Sequence, residues 1–167
     1  SALKQLYRFA HEEGWRADNP VLQITGPAKD MRLPAALSMG DVNALLAAAE
    51  THGKTPADRA RNSCLMQVLY ATGLRVSELV GLPVAAVRGD PQMLLVRGKG
   101  NKERLVPLSR PARAAITSWL AHRDAAQEAR KQASGAKPSP FLFPSHGVAG
   151  HMTRVRFFTL IKELAIA

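Results

Sequence analysis

The sequence predicts a mainly α-helical protein with one small antiparallel β-sheet. Apolar residues recur three and four positions apart through most of the 167-residue chain, as they do on the buried face of a helix. The exception is MLLVRGKGNKERLVPL, residues 93–108, where two β-rich runs flank Gly100 and Asn101, a strong hairpin signal. Hydrophobic residues make up 46% of the chain, which favours a packed core over disorder.

The first segment predicts a short helix followed by a linker. ALKQLYRFAHEEG has apolar residues at helical spacing and a stop signal at Gly14. One short helix cannot form a core, so residues 1–17 are interpreted as the end of a helical domain whose other helices lie outside the sequence. Residues 18–33 carry two breaker pairs, Asn-Pro and Gly-Pro, and are expected to be an interdomain linker. Residues 34–167 are then a second domain.

The second domain is predicted to open with helices. Ser38 stands three residues before Asp41, which resembles a capping box at a helix start. The next helix is predicted over residues 57–71, with Gly73 closing it. Ser77 is expected to cap a short following helix, SELVGL.

Helix is expected again after the hairpin. Ser109 and Pro111 are start signals for a long helix. The segment FLFP, residues 141–144, is predicted to be a short strand that could join the hairpin. The last helix is expected from about Thr153. Core positions of these two helices are predicted at Ile116, Trp119, Leu120, Phe157, Leu160, Ile161 and Leu164.

The charge of the chain is strongly positive and unevenly distributed. Lys and Arg number 23 against 13 Asp and Glu, a net charge of +10. Residues 94–113 hold six basic residues and one acid, half of the whole excess, whereas residues 34–93 are neutral overall. A focused positive charge indicates a surface for a polyanion, most commonly nucleic acid.

The sequence also indicates the cellular compartment in which the protein is expected. Cys64 is the one cysteine and lies in an apolar run, which argues against a disulfide framework and a cysteine metal site. No apolar stretch is long enough to span a bilayer, and no signal peptide is visible, so a cytoplasmic setting without membrane contact is expected.

The block ATGLRVSELVGL, residues 71–82, offers a candidate phosphate ligand. Arg75 falls on a tight junction between two predicted helices, which would fix the starting direction of its side chain. A guanidinium presents paired N–H donors that match two oxygens of a phosphate. Glu78 could orient or neutralise it. An interdomain salt bridge explains these residues equally well.

The block RGKGNKERLVPL, residues 97–108, offers a candidate acid. Gly98 and Gly100 permit close backbone approach, and Lys99 lies between them, where it could donate a proton to an alkoxide leaving a phosphodiester. A solvated basic hairpin is the plainer interpretation of these residues taken alone.

Together and in this order, the two blocks resemble the catalytic domain of the tyrosine recombinases (the phage integrase family). The resemblance is to the bacterial Xer type, to its XerD branch more than its XerC branch, and FLFPSHG supports it. It runs from about Leu33 to the end of the chain. It implies an incomplete integrase-type catalytic domain over residues 34–167, with residues 1–17 ending an N-terminal core-binding domain.

The resemblance implies DNA strand transfer without a metal or other cofactor. A tyrosine attacks the scissile phosphate, which gives a 3′-phosphotyrosyl bond and a free 5′-hydroxyl. Arg75 matches the family's first arginine and Lys99 its lysine, with Glu78 in support. Fixed cations would balance the phosphorane charge. The expected partners are duplex DNA, a second Xer-type recombinase in a tetramer, and a DNA translocase, in chromosome-dimer resolution at cell division. Expected DNA contacts are Arg97, Lys102, Arg104, Thr153 and Arg154.

The C-terminal part departs from the family pattern. His151 and Arg154 have the form H-x-x-R, but the helix that follows them matches the one preceding the family's motif. Thr153 is therefore interpreted as a helix cap, Arg154 as a first-turn phosphate contact, and His151 as a loop residue. Tyr7 and Tyr70 are both expected in core or interface positions, so the nucleophile is predicted to lie outside this sequence, which would leave the chain inactive by itself.

Two other functions fit the same sequence. One is a short, non-catalytic DNA-binding or regulatory protein derived from a recombinase. The other is a basic RNA-binding domain, which predicts aromatic residues beside the hairpin for base stacking, and GKGNKER has none.

Overall fold

A computed structural model describes residues 2–23, 36–98 and 103–166 of the chain. These residues form helices and one hairpin, which confirms the predicted fold class. The elements are α1 Ala2–Glu12, α2 Met39–Thr51, α3 Pro56–Thr72, α4 Val76–Val80, β1 Met93–Arg97, β2 Glu103–Pro107, α5 Arg110–Ser134 and α6 Arg154–Ile166.

The chain divides into two compact units, Ser1–Ala36 and Leu37–Ala167. In the first unit, α1 has no buried residue, and its apolar side chains Leu3 and Leu6 are exposed. A helix this short, with its apolar face in water, gains little from packing. Val21 is the buried side chain of this unit within the described residues.

Capping boxes begin the first two helices of the second unit. The hydroxyl of Ser38 accepts the Asp41 backbone N–H at 3.1 Å, and the Asp41 carboxylate accepts the Ser38 N–H at 3.0 Å, as predicted. Thr55 and Asp58 repeat the arrangement at the start of α3. Gly73 ends α3 at a φ of +59°, a left-handed conformation that favours glycine.

The core of the second unit lies between α3, α5, α6 and the hairpin. α3 packs on α5 and α2, and α6 packs on α2 and α4. The predicted core positions Ile116, Trp119, Phe157, Leu160 and Leu164 are buried, and Leu120 and Ile161 are partly buried. Other fully enclosed side chains include Leu65, Leu79, Leu94, Leu142 and Phe143.

The hairpin has the predicted antiparallel pairing, with Leu95 opposite Leu105 and Arg97 opposite Glu103. The predicted turn at Gly100 and Asn101 lies outside the described residues. In the described part of the chain the sheet has two strands.

The prediction that FLFP adds a strand to the hairpin is wrong. This segment makes isolated bridges instead, Phe141 with Pro83 and Pro144 with His151. Pro140 precedes the segment, Pro144 ends it, and Pro83 lies opposite Phe141. Each proline lacks the backbone N–H that a continuous β-ladder needs.

Helix α5 holds the FLFP segment through polar side chains one turn apart. The indole N–H of Trp119 donates to the Leu142 carbonyl at 2.9 Å. The buried Arg123 guanidinium donates to the carbonyls of Ser139 and Phe141. Gln127 accepts the Ser139 N–H at 2.8 Å. These bonds fix the chain that leads to the start of α6.

Removing the Arg123 side chain should therefore destabilise the fold. We expect Arg123→Ala to lower the free energy of unfolding by about 3 kcal/mol, because buried carbonyls lose charged donors. The exposed Arg130 on the same helix is the matched control, and Arg130→Ala should change stability by less than about 0.5 kcal/mol. Denaturant titration measures both, and equal losses for the two variants would contradict the anchoring role of Arg123.

Candidate active site

Arg75 lies on the junction between α3 and α4. The chain leaves α3 through Gly73, buries Leu74 in the core, and places Arg75 at the N-cap of α4 in an extended conformation. The Arg75 side chain is 65% exposed. The buried residue before it and the helix after it thus fix the direction from which the guanidinium enters solvent.

The prediction that Ser77 caps this helix is wrong, because α4 begins at Val76. The Arg75 carbonyl accepts the N–H groups of Glu78 and Leu79, each at 2.9 Å. The Glu78 carboxylate in turn accepts the Arg75 backbone N–H at 2.8 Å. A glutamate at the third helical position supplies this bond, so the helix needs no hydroxyl cap.

Glu78 is the centre of a cluster with two arginines. Its side chain is 9% exposed, and its Oε1 lies 3.0 Å from Nη1 of Arg75. Arg104, on β2, donates to both carboxylate oxygens, from Nη1 at 3.1 Å and from Nη2 at 2.8 Å. Sequence reasoning placed Glu78 near Arg75 but missed its pairing with Arg104. The packing that brings Arg104 of β2 next to Glu78 of α4 joins residues 26 apart in the chain, so no local sequence signal predicts it.

The two arginines keep the Glu78 carboxylate ionised. The hydrogen bonds from Arg104, and then those from Arg75, outweigh the cost of burial and lower the pKa of Glu78 from 4.5 to about 2.

The depressed pKa predicts an acid-dependent loss of stability. A carboxyl whose pKa is lower in the folded than in the unfolded protein stabilises the fold at pH values above its unfolded pKa. The contribution of Glu78 is therefore lost as the pH falls from about 4.5 towards 2. Glu78→Gln should flatten the pH dependence of the unfolding free energy in that window. Urea titrations of both proteins at several pH values measure this. An unchanged pH dependence in Glu78→Gln would contradict the assignment.

The chain reaches this cluster at Gly98, directly after β1. A Cβ built on Gly98 would lie 3.3 Å from Nη1 of Arg104 and 3.5 Å from Nη1 of Arg75. The predicted site residues Lys99 and Lys102 lie outside the described residues. Arg97, a predicted DNA contact, ends β1 with its backbone opposite Glu103.

The HMTR segment is arranged as a loop followed by a helix cap. His151 lies in the loop, with its Nδ1 2.8 Å from the Met152 carbonyl and its ring against Phe141. The Thr153 hydroxyl accepts the Arg156 N–H at 3.1 Å, which confirms Thr153 as the cap of α6. Arg154 is exposed in the first turn.

Tyr70, on α3 of the second unit, lies outside the Glu78 cluster. Of the two positions predicted for Tyr70, core or interface, the core position is wrong, because Tyr70 is 52% exposed on α3, with its hydroxyl 3.9 Å from Sδ of Met39. Residue 70 falls on the outer edge of α3, whereas Cys64, Leu65 and Val68 face inward. Burial raises the pKa of the Cys64 thiol.

Within residues 2–23, 36–98 and 103–166, no group of three or more His, Cys, Asp or Glu is placed to hold a metal ion. In the same residues, no helix combines the length and apolar character needed to cross a membrane.

Sequence comparisons find relatives of the whole chain. The model of the phage integrase family matches residues 36–167. The tyrosine recombinase XerD of Bradyrhizobium diazoefficiens is 47% identical over 174 residues, covering 100% of this chain and 54% of the relative. XerD of Caulobacter vibrioides is 43% identical over 167 residues, covering 100% of this chain and 52% of the relative.

Solved structures share the fold. The crystal structure of XerA recombinase has a TM-score of 0.62 at 24% identity and covers 99% of this chain and 52% of its own. The XerH site-specific recombinase bound to palindromic difH substrate has a TM-score of 0.63 at 20% identity, covering 85% of this chain and 39% of its own.

The comparisons confirm the resemblance that the two sequence blocks indicated, including the similarity to XerD proteins. The chain spans about half the length of the curated relatives it matches.

Proposed function

Because the chain belongs to the phage integrase family, we propose that it is part of a site-specific tyrosine recombinase that cuts and rejoins DNA strands. The observation that carries this proposal is the exposed Arg75 guanidinium, directed outward from the α3–α4 junction and held by Glu78. The sequence similarity to XerD proteins extends over the whole chain and supports the same activity.

In the proposed reaction a tyrosine hydroxyl releases its proton to solvent and its oxygen bonds to the scissile phosphorus, while the bond from phosphorus to the 5′-oxygen breaks. The 3′-phosphate stays on the tyrosine, and the 5′-oxygen leaves as a hydroxyl after it receives a proton. Arg75 donates its paired N–H groups to the non-bridging oxygens, where charge builds up in the transition state. Lys99 supplies the proton to the leaving oxygen. Neither Tyr7 nor Tyr70 is assigned as the nucleophile, so the chain alone is proposed to be inactive in cleavage.

The remaining site residues are proposed as DNA contacts. Arg97 and Lys102 would bind phosphates from the basic hairpin, and Thr153 and Arg154 from the start of α6, where helix N–H groups also favour an anion. Arg104 donates to Glu78, and its role is a separate inference.

The proposed partners follow from the relatives. XerH is solved on its difH substrate, so duplex DNA is the proposed substrate here. We extend the proposal to a tetramer with a second Xer-type recombinase, activation by a DNA translocase, and chromosome-dimer resolution in the cytoplasm. Residues 1–17 would end a core-binding domain and residues 18–33 would link it to the catalytic domain.

The chain itself allows a direct test of DNA binding. We expect weak binding to duplex DNA at low salt, falling steeply as salt rises, because phosphate neutralisation releases counterions. Lys102→Ala should reduce the slope of log K against log salt by about 0.9, the value for one phosphate contact. Arg130→Ala, which removes an exposed cation on α5, should leave the slope unchanged. Absence of salt-sensitive binding would overturn the proposal.

A nicked suicide duplex tests the catalytic part. The chain alone should give no covalent protein–DNA adduct, whereas the full-length protein should give one. An adduct with the chain alone would overturn its proposed inactivity. Binding without an adduct from the full-length protein would favour a non-catalytic DNA-binding protein derived from a recombinase.

A further inference from the structure

We infer that Arg104 is a positioning residue that acts on Arg75 and on the hairpin through Glu78, and that it makes no phosphate contact of its own. This inference rests on the proposed function, because it describes how the proposed phosphate ligand is held and how the net charge around it stays positive.

The Glu78 carboxylate is saturated by the two arginines. Oε1 accepts from Nη1 of Arg75 at 3.0 Å and from Nη1 of Arg104 at 3.1 Å. Oε2 accepts from the Arg75 backbone N–H and from Nη2 of Arg104, each at 2.8 Å. Two parallel N–H···O bonds fix a guanidinium in one plane, which a single contact does not do. Arg104 therefore fixes the carboxylate, and the carboxylate fixes Arg75.

The charges of the cluster make Arg104 necessary for a second reason. Glu78 paired with Arg75 alone would neutralise the guanidinium that the phosphorane needs. With Arg104 present, two positive groups share one carboxylate, and the cluster keeps a net charge of +1. The exposure of the two side chains supports this division of roles, because the Arg75 side chain is 65% exposed and the Arg104 side chain is 37% exposed. The arginine that faces solvent is the one left to bind a phosphate.

The same contact ties the hairpin to the helix junction. Arg104 lies on β2 and pairs across the sheet with Val96 on β1. Beyond Val96, Gly98 comes so close that a Cβ would meet Arg104, Arg75 and Glu78 within 3.6 Å. Gly98 is the residue directly before Lys99 in the chain. Arg104 thus links the strand leading to the proposed acid with the helix cap that carries the proposed phosphate ligand.

The first test uses cleavage by the full-length protein on a suicide duplex. Arg104→Gln should lower the cleavage rate by about 10- to 100-fold, the cost of a misplaced catalytic group. In a Glu78→Gln background, Arg104→Gln should lower the rate less than twofold further, because the group through which it acts is already gone. Full additivity of the two substitutions would overturn the inference.

The second test separates positioning from direct contact through the salt dependence of DNA binding by the chain. Arg104→Gln should leave the slope of log K against log salt unchanged. A direct phosphate contact would reduce that slope by about 0.9, and this result would overturn the inference. Arg88→Gln is the matched control, because Arg88 makes a similar two-oxygen pair with Asp124. It should change neither the slope nor the cleavage rate.

A further variant guards against unfolding of Arg104→Gln. Arg104→Lys keeps the charge but cannot span both carboxylate oxygens, so we expect slow cleavage with an unchanged salt slope. A wild-type cleavage rate for Arg104→Lys would overturn the positioning role. If the parent protein neither binds nor cleaves DNA, the proposed function is wrong. This result differs from those of the Arg104 variants, which are compared with an active parent.

Discussion

Arg75→Ala in the full-length protein is expected to slow DNA cleavage by about 10³-fold or more, the loss seen when a fixed donor to transition-state charge is removed. The physical reason is that Arg75 is the exposed guanidinium of the Glu78 cluster, and its fork matches two phosphate oxygens. DNA affinity should change little, because many phosphate contacts share the binding energy. Single-turnover cleavage of a suicide duplex measures the rate, and a gel-shift titration measures the affinity.

Two controls make this result specific. Arg75→Lys keeps the charge without the fork, so its rate should fall between those of the parent and Arg75→Ala. Arg88→Gln removes an arginine with a comparable ion pair away from the cluster and should cleave at the parent rate. Unchanged cleavage by Arg75→Ala would remove Arg75 from the active site, and equal losses of affinity and rate would make it a binding residue.

Lys99→Ala should slow cleavage by about 10²- to 10⁴-fold, the usual contribution of a positioned general acid. The reason is that the 5′-oxygen leaves poorly as an alkoxide and needs the proton that Lys99 supplies in the proposed mechanism. The rate of adduct formation on a suicide duplex measures this loss.

A modified DNA distinguishes proton donation from simple charge. If sulfur replaces the leaving 5′-oxygen, a thiolate departs without a proton, so Lys99→Ala should cleave this substrate nearly as fast as the parent. Arg75→Ala should remain slow on the same substrate, because phosphorane charge still builds up. Slow cleavage of the sulfur substrate by Lys99→Ala would contradict the role of Lys99 as the acid.

Local signals in the sequence predicted most of the fold. The capping box of Ser38 and Asp41, the stop at Gly73 and the register-defining hairpin each depend on residues a few positions apart. Non-local contacts explain the errors. The FLFP segment has strand composition, but α5 captures its carbonyls through Arg123 and Trp119, and prolines prevent a longer ladder.

In the candidate site, too, the local contact was predictable from the sequence and the non-local contact was not. Arg75 and Glu78 are the N-cap and third residue of α4, so their contact follows from local capping geometry. Arg104 is 26 residues further along the chain than Glu78, and its contact depends on how the hairpin packs against α4. Its basic neighbours predict one more DNA contact, whereas its pairing with Glu78 supports the positioning role inferred above.

Arg75 is proposed as the first arginine of a recombinase that forms a phosphotyrosyl bond with DNA. The most direct measurement is to incubate the full-length protein with sheared genomic DNA of its source organism in EDTA, quench with detergent, and sequence the DNA that remains bound to protein. We expect covalent adducts at one short site, each through a 3′-phosphate on a tyrosine, and we expect these adducts to be lost in Arg75→Ala. Adducts formed equally by Arg75→Ala, or cleavage that leaves no protein on the DNA, would contradict this proposal.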